Sequence, residues 1–281
     1  MSLLISQHWK DYELLDAGGN KKLERWGKVV TIRPERNAYF RSVIPFEDWY
    51  KQADFEFVEH SKTKGEWKVL NEQAPKKWTI GYKSIRLNLE LTKFKHVGLF
   101  PEQQANWEFL ERNLKTDDRF LNLFGYTGAA SLVARANNAD VFHCDSVKQV
   151  ITWGRENMES SGLSDIHWVL EDALKFAQRE VKRGNKYTGI IMDPPAFGIG
   201  AKKERWKIED KFSELLELAV QLRAPEGFII VNTYSPRLTA KDIRQSANHI
   251  LENENIQVDT LCLKTVTNKT LEYGLRTLIQ P

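Results

Sequence analysis

The stretch Ile190-Ile191-Met192-Asp193-Pro194-Pro195-Ala196-Phe197 carries the sharpest chemical signal in the chain. Two consecutive prolines fix φ, remove two N–H donors and hold the preceding residue extended. The turn therefore offers carbonyl oxygens and the Asp193 carboxylate, with Phe197 adding a planar apolar face just beyond. Acceptors beside an aromatic platform suit a planar group with an N–H edge, such as a nucleobase stacked on the ring. A rigid strand-ending turn with a buried Phe is the plainer explanation of the same residues. In Asn122-Leu123-Phe124-Gly125-Tyr126-Thr127-Gly128, the two glycines would let the backbone turn tightly and expose main-chain groups to a ligand at a helix start. Asp145, twenty positions after Gly125, is placed to accept from both hydroxyls of a ribose, or to cap the next helix. Asp172 can accept from an adenine amino group while the backbone near Ala173 donates to the ring, or it can serve as an N-cap. Together these strand ends bear the polar groups that an adenosine needs.

Such residues need a scaffold that brings them to one edge, and the pattern from Arg119 onward supplies it. Strands are expected at 119–123, 139–144, 166–170, 189–192 and 228–231. Helical segments are expected between them at 128–137, 146–160, 172–183 and 208–222. In the last, Ile208, Phe212, Leu215, Leu216 and Ala219 trace one apolar stripe. This alternation implies right-handed crossovers and a parallel sheet covered on both faces. A helix over 240–251 and strands at 258–263 and 274–279 complete an α/β, doubly wound, seven-stranded Rossmann-like sheet with an antiparallel edge. Ligands of such sheets sit beyond the carboxyl ends of the strands, where every residue named above falls.

Residues 1–95 differ in texture, with short alternating segments, five of the nine tryptophans and the turn signal Asp16-Ala17-Gly18-Gly19-Asn20. A small β-rich N-terminal domain is expected there, followed by the α/β domain over 96–281. The chain of 281 residues carries 41 basic and 38 acidic side chains, net +3, and the first 95 residues are the more basic part. That basic part could meet a polyanion, but charge alone favours an ordinary solvated surface. No apolar run is long enough to span a bilayer, and the N-terminus does not read as a secretory leader. Two cysteines, Cys144 and Cys262, fit a reducing, cytoplasmic setting. The adjacent His143, Cys144 and Asp145 lie along a strand whose side chains alternate in direction, so no metal site is expected.

The residues from Asn122 to Gly128, with Asp145, Asp172 and the D-P-P-x-F turn, resemble class I S-adenosylmethionine-dependent methyltransferases. More narrowly they are similar to the 23S rRNA cytosine-5-methyltransferase-like group, which shares N-L-F-x-Y-T-G and closes its fourth strand with D-P-P-K-F. Phe100-Pro101-Glu102-Gln103-Gln104 matches that group's F-L-D-Q-R element in part. Leu23-Glu24-Arg25-Trp26-Gly27 and Arg33-Pro34-Glu35 look like its β-rich leading segment. The resemblance implies S-adenosyl-L-methionine as cofactor, with Gln103, Phe124, Gly125, Tyr126, Thr127 and Gly128 around its methionine part. It further implies Asp145 at the ribose, Asp172 and Ala173 at adenine, and Asp193, Pro194 and Phe197 facing both methyl group and acceptor.

Two departures bear on the chemistry. The group's nucleophilic Cys after the fifth strand is Ser235 here, and the Lys of D-P-P-K-F is Ala196. Carbon 5 of cytosine needs a thiolate to add to the ring before it can attack, and a serine hydroxyl with no base evident beside it is a poor substitute. A nitrogen or oxygen acceptor needs no adduct, only alignment, desolvation and removal of a proton. The expected function is thus methylation of RNA, a ribosomal RNA base, by direct in-line transfer. Residues 198–207 read either as a lid, with Lys202 on phosphates and Trp206 stacking a base, or as a solvated loop and helix start. Tyr234 closes the pocket or belongs to the core. A non-catalytic RNA-binding protein with a retained cofactor site, and a methyltransferase for a protein or small-molecule amine, remain as alternatives. A nicotinamide oxidoreductase is disfavoured by the missing third glycine of G-x-G-x-x-G. Monomer and homodimer are both compatible with the sequence.

Overall fold

Turn residues in left-handed conformation punctuate the first third of the chain. Gly19 (φ 56°) and Asn20 (φ 61°) close the hairpin between the strands Tyr12–Gly18 and Lys21–Trp26, and Gly27 (φ 64°) helps to close the next. In this computed structural model, residues 1–61, 64–199, 205–251 and 254–281 are described. The elements of this part are β1 (Leu3–Ser6), β2 (Tyr12–Gly18), β3 (Lys21–Trp26), β4 (Val29–Pro34), α1 (Phe46–Gln52), β5 (Phe55–Ser61), β6 (Lys64–Val69), β7 (Lys77–Tyr82) and β8 (Ile85–Glu90). Strands β2 to β6 form a five-stranded sheet in chain order, antiparallel except where β4 and β5 pair in parallel across α1. Strands β7 and β8 form a separate antiparallel ribbon.

After a 3-10 turn at Pro101–Gln103 come α2 (Gln104–Asn113), β9 (Arg119–Leu123), α3 (Ala129–Ala136), β10 (Asp140–Asp145), α4 (Lys148–Ser160), β11 (Ile166–Leu170), α5 (Ala173–Lys182) and β12 (Tyr187–Met192). The chain continues through β13 (Phe197–Ile199), β14 (Arg205–Lys207), α6 (Ile208–Leu222), β15 (Arg223–Thr233), α7 (Ala240–Ile250), β16 (Asn255–Lys264) and β17 (Thr270–Gln280). One eight-stranded sheet results, in the order β1-β16-β17-β15-β12-β9-β10-β11. Strands β11, β10, β9, β12 and β15 are parallel neighbours, and β17 runs antiparallel to β15. The seven strands expected are thus joined by an eighth. Strand β1 adds to the edge of β16, a pairing between chain ends that no local pattern announces.

Two compact units are distinguished: Met1–Leu4, Ala105–Leu261 and Gly274–Pro281 in one, Ile5–Gln104 and Cys262–Tyr273 in the other. In the first, the apolar stripe of α6 packs with Leu174, Phe176 and Ala177 of α5 over Leu121, Ile190, Met192, Ile229 and Val231 of the sheet. The last four residues of β12 are all buried, as a parallel sheet clad on both sides requires.

In the second unit, Glu24 and Arg33 of the two leading-segment motifs meet across the β3–β4 hairpin. Arg33 donates from Nε to Glu24 Oε2 at 2.6 Å and from Nη2 to Oε1 at 2.7 Å, while Tyr12 donates to Oε1 at 3.0 Å. Lys22 lies 3.4 Å from Glu24 and 3.3 Å from Glu35. All of these charges are buried or nearly so, and the bidentate geometry compensates their desolvation. Glu102 in the same unit lacks such compensation: burial pushes its carboxyl up to about 7, against some relief from Lys22. A raised carboxyl stabilises the folded state only while protonated, so this stability is present below pH ~4.5 and is lost as pH rises to about 7. Wild-type protein should lose up to about 3 kcal/mol between pH 5 and 8 from this source. Glu102→Gln should flatten that dependence in urea melts, and an unchanged slope would place the titration elsewhere.

Candidate active site

Four strand ends are tied into a common rim by backbone hydrogen bonds. Asp193 N–H donates to the Leu123 carbonyl at 3.3 Å, Gly125 N–H to the Cys144 carbonyl at 3.1 Å, and Glu171 N–H to the Asp145 carbonyl at 3.1 Å. The ends of β9, β10, β11 and β12 therefore hold fixed positions, and the turns that follow them share one edge of the sheet.

The turn after β9 is the most constrained segment of that rim. Phe124 (φ 60°), Tyr126 (φ 52°) and Gly128 (φ 88°) all lie in the left-handed region, two of them carrying side chains. Such conformations cost roughly 1–3 kcal/mol each and persist where the surroundings over-determine them. The surroundings are explicit here. The His143 ring lies against Gly125, Asn157 Nδ2 donates to the Thr127 carbonyl at 3.0 Å, and the Trp168 ring faces Gly128. Gly125 thus serves a different purpose from the tight turning expected of it. Its φ is not left-handed; a Cβ there would stand 2.3 Å from His143 Cε1. His143 is held in turn by Ser131, whose Oγ lies 2.9 Å from Nδ1, and Ser131 accepts from Asn122 Nδ2 at 2.9 Å. Burial pushes the His143 imidazole down to about 3, so it is neutral at physiological pH. The histidine set aside as a metal ligand is the floor of the turn, and among the described residues no cluster suited to a metal occurs.

Asp145 Oδ2 accepts from the Tyr126 N–H at 3.0 Å and Oδ1 from the Val147 N–H at 2.9 Å. It therefore braces the turn after β9 as well as its own loop, and it does not cap α4, whose N-cap is Val147. A third backbone N–H, that of Ser146, also reaches this carboxylate, which leaves one of its roughly four lone-pair sites for a further donor. Asp172 is the N-cap of α5, with Oδ1 accepting from Lys175 N–H at 3.1 Å. Val147 and Leu170, 46% and 53% exposed, stand beside these two carboxylates. Exposed aliphatic residues next to polar strand ends suit the faces of a purine, and the sequence does not single them out because a β-branched or leucine residue there reads as core.

Past β12, Pro194 is buried and Phe197 is 57% exposed, so the ring does not sit in the core. Two of the carbonyls expected to face a ligand are used within the protein. Pro195 O accepts from Trp206 Nε1 at 2.6 Å, and Ala196 O accepts from Ile208 N–H at 3.2 Å. Residues expected as a loop form the paired strands β13 and β14, with Gly198 opposite Trp206. Trp206 packs 5.3 Å from Phe124, linking the proline turn to the turn after β9. Lys202 lies outside the described residues. Tyr234 follows β15 with its ring against Gly274, and Gln103 belongs to the other unit, where it is buried in the 3-10 turn. Sequence patterns also give no sign of Asn106 and Asn232, a fully buried pair joined at 2.9 Å; Asn232 follows Val231, the register partner of Met192. The sequence shows no partner for Ser235, and the fold supplies a carboxylate. Ser235 Oγ donates to Glu209 Oε1 at 2.5 Å.

The donor set fits an adenosyl cofactor: a backbone cradle with no room for side chains at Gly125, two carboxylates on successive strand ends, and aliphatic faces beside them. Comparison with known proteins agrees. Residues 55–248 match the family model for S-adenosylmethionine-dependent methyltransferases. A crystal structure described as the SAM-dependent methyltransferase from Agrobacterium tumefaciens is similar with a TM-score of 0.94 and 32% identity, covering 100% of this chain and 94% of that one. Ribosomal RNA large subunit methyltransferase I of Aeromonas salmonicida is 25% identical over 79% of this chain and 54% of its own length. Ribosomal RNA large subunit methyltransferase K/L of Pseudoalteromonas atlantica is 26% identical over 71% of this chain and 27% of its own length. The chain thus spans only about a quarter to a half of these curated relatives. The family match covers more than half of the sequence, and the likeness to the Agrobacterium structure takes in the whole of this chain. This chain belongs to the S-adenosylmethionine-dependent methyltransferase family.

Proposed function

We propose that this enzyme methylates a nitrogen or oxygen of an RNA base, with ribosomal RNA as substrate, by direct in-line transfer without a cysteine adduct. The observation that carries the reading is the identity of residue 235. A serine follows β15, and both thiols are buried in strands, where burial pushes Cys144 far up and Cys262 up to about 11. A thiolate able to add to a pyrimidine ring is therefore not at hand. The names of the curated relatives support RNA, and the exposed Phe197 ring supports a stacked base.

When bound, S-adenosylmethionine supplies a methyl carbon activated by a positively charged sulfur. Phe124 to Gly128 would hold its methionine part and Asp145 its ribose. Asp172 and the backbone of Ala173 would read adenine between Val147 and Leu170. Asp193, with Pro194 fixing the backbone behind it, would orient the acceptor's N–H or O–H so that a lone pair points at the methyl carbon. Phe197 would stack the base, Tyr234 would border it and Lys202 would meet phosphate. Trp206 would act on the substrate side through the turn it holds.

Incubating the enzyme with methyl-labelled cofactor and total RNA tests the reading, followed by nucleoside mass spectrometry. Label in a methylated nucleoside at nitrogen or oxygen is expected. Label in 5-methylcytidine would overturn the in-line chemistry, and label only in protein or small amines would overturn RNA. Asp145→Ala should weaken S-adenosylhomocysteine binding by about tenfold to a hundredfold, since ribose contacts are lost and the Tyr126 N–H loses its acceptor. Calorimetry giving an unchanged affinity would mean that this carboxylate serves only its backbone partners.

A further inference from the structure

Direct transfer to an N–H acceptor leaves a proton to be removed, and the site needs a group to receive it. Ser235 and Glu209 come from elements 26 positions apart and meet beside the proline turn. Each is anchored there independently. Strands β12 and β15 are parallel neighbours with Met192 opposite Val231, so Asp193 and the segment leading to Ser235 leave the sheet side by side. The first turn of α6, which carries Glu209, is fixed to the same turn by Ile208 N–H on Ala196 O. Trp206, three residues before Glu209, is fixed to Pro195 O. Ser235 is 9% exposed, its Oγ donating to Glu209 and accepting from Arg237 N–H at 3.2 Å. One lone pair of that hydroxyl remains for a donor from the site.

We infer that Ser235 and Glu209 form a proton relay that drains the acceptor during methyl transfer. The inference rests on the proposed in-line reaction at an N–H acceptor. The acceptor nitrogen's lone pair forms the bond to the methyl carbon, and the carbon–sulfur bond breaks with its electron pair passing to sulfur. The nitrogen then carries an extra proton. It passes to Ser235 Oγ as that hydroxyl gives its own proton to Glu209, so the neutral methylated amine and S-adenosylhomocysteine result and one proton leaves through the carboxylate. The hydrogen bond from Ser235 keeps the Glu209 carboxyl below the usual range, with Arg237 and Lys207 acting in the same direction. The carboxylate is therefore ionised and ready to accept near neutral pH. The residue that stands where cysteine-dependent relatives have their nucleophile becomes, in this chain, the first link of a base.

The relay is tested by the pH dependence of transfer in Glu209→Gln, Glu209→Asp and Ser235→Ala. Glu209→Gln should lower kcat by about a hundredfold and abolish the acid limb of the profile, with S-adenosylhomocysteine affinity within about threefold. Glu209→Asp should restore part of the rate and the limb. Ser235→Ala should resemble Glu209→Gln. A purely structural tie would leave the pH profile of the variants parallel to wild type, and that result would overturn the relay. A second measurement needs no substrate. In Ser235→Cys, the carboxylate beside the new thiol should hold its ionisation high, and adding Glu209→Gln should raise alkylation at pH 8 by about fivefold. Equal alkylation of the two variants would overturn the contact and the relay with it. Failure of the wild-type enzyme to label RNA would instead count against RNA as substrate, while the thiol measurement still decides the pair.

Discussion

Replacing Asp193 with alanine is expected to slow methyl transfer by about 10²–10⁴-fold while leaving S-adenosylhomocysteine affinity within about threefold of wild type. The residue sits at the mouth of β12 with its N–H on Leu123 O, and Pro194 and Pro195 follow directly. The backbone is therefore positioned by the Leu123 carbonyl and the two prolines, which the substitution leaves in place. Its proposed work is at the acceptor, through an interaction made only as the lone pair swings into line. Such interactions appear in kcat and not in cofactor binding. Loss of an orienting carboxylate of this kind costs about 10²–10⁴-fold. Asp193→Asn sharpens the experiment, because the amide keeps the shape and one acceptor oxygen but removes the charge. It should retain more activity than Asp193→Ala. Undiminished turnover in either variant would remove Asp193 from the chemistry and reduce the diproline turn to a strand terminus.

What the sequence discloses and what it hides can be separated physically. Strands β9 to β12 and their helices are readable because each is a local pattern: a short apolar run, a turn, then an amphipathic helix. The rim is readable for the same reason, since ligands of such sheets collect at strand ends that a local pattern already locates. Helix α1 escapes because seven residues hold too few turns to show a period, although Pro45, Glu47, Asp48 and Lys51 mark its ends correctly. Strand β1 escapes because its partner lies at the other end of the chain. The role of His143 is hidden more deeply. Its neighbours Cys144 and Asp145 suggest a ligand cluster, and only packing shows that the imidazole is a spacer beneath Gly125. Glu209 is an ordinary second residue of a helix, and its meaning comes from the hydroxyl that the fold brings to it. Local order is written locally, whereas a base or a floor is defined by what stands opposite.

The second large effect is expected at Gly125, where alanine should weaken cofactor binding by about a hundredfold or more and destabilise the protein by about 1–3 kcal/mol. The added methyl would overlap a ring with no route of escape. The three atoms nearest to it all belong to the imidazole, at 2.3, 2.6 and 2.9 Å. That ring is fastened through Ser131 and Asn122, and its other side meets Trp168 at a centroid distance of 4.6 Å. Since His143 cannot withdraw, the turn must lift. Lifting it would pull the Tyr126 N–H off Asp145 and disturb the left-handed residues on either side of Gly125. A double variant distinguishes this steric account from a simple loss of glycine's freedom. Gly125→Ala combined with His143→Ala removes the ring that the methyl strikes, so cofactor affinity should recover most of the loss even though His143→Ala alone costs stability through its cavity. If the double variant binds no better than Gly125→Ala, backbone conformation and not the histidine floor would be what residue 125 protects. Full binding by Gly125→Ala itself would mean that this turn is not the cradle of the cofactor at all.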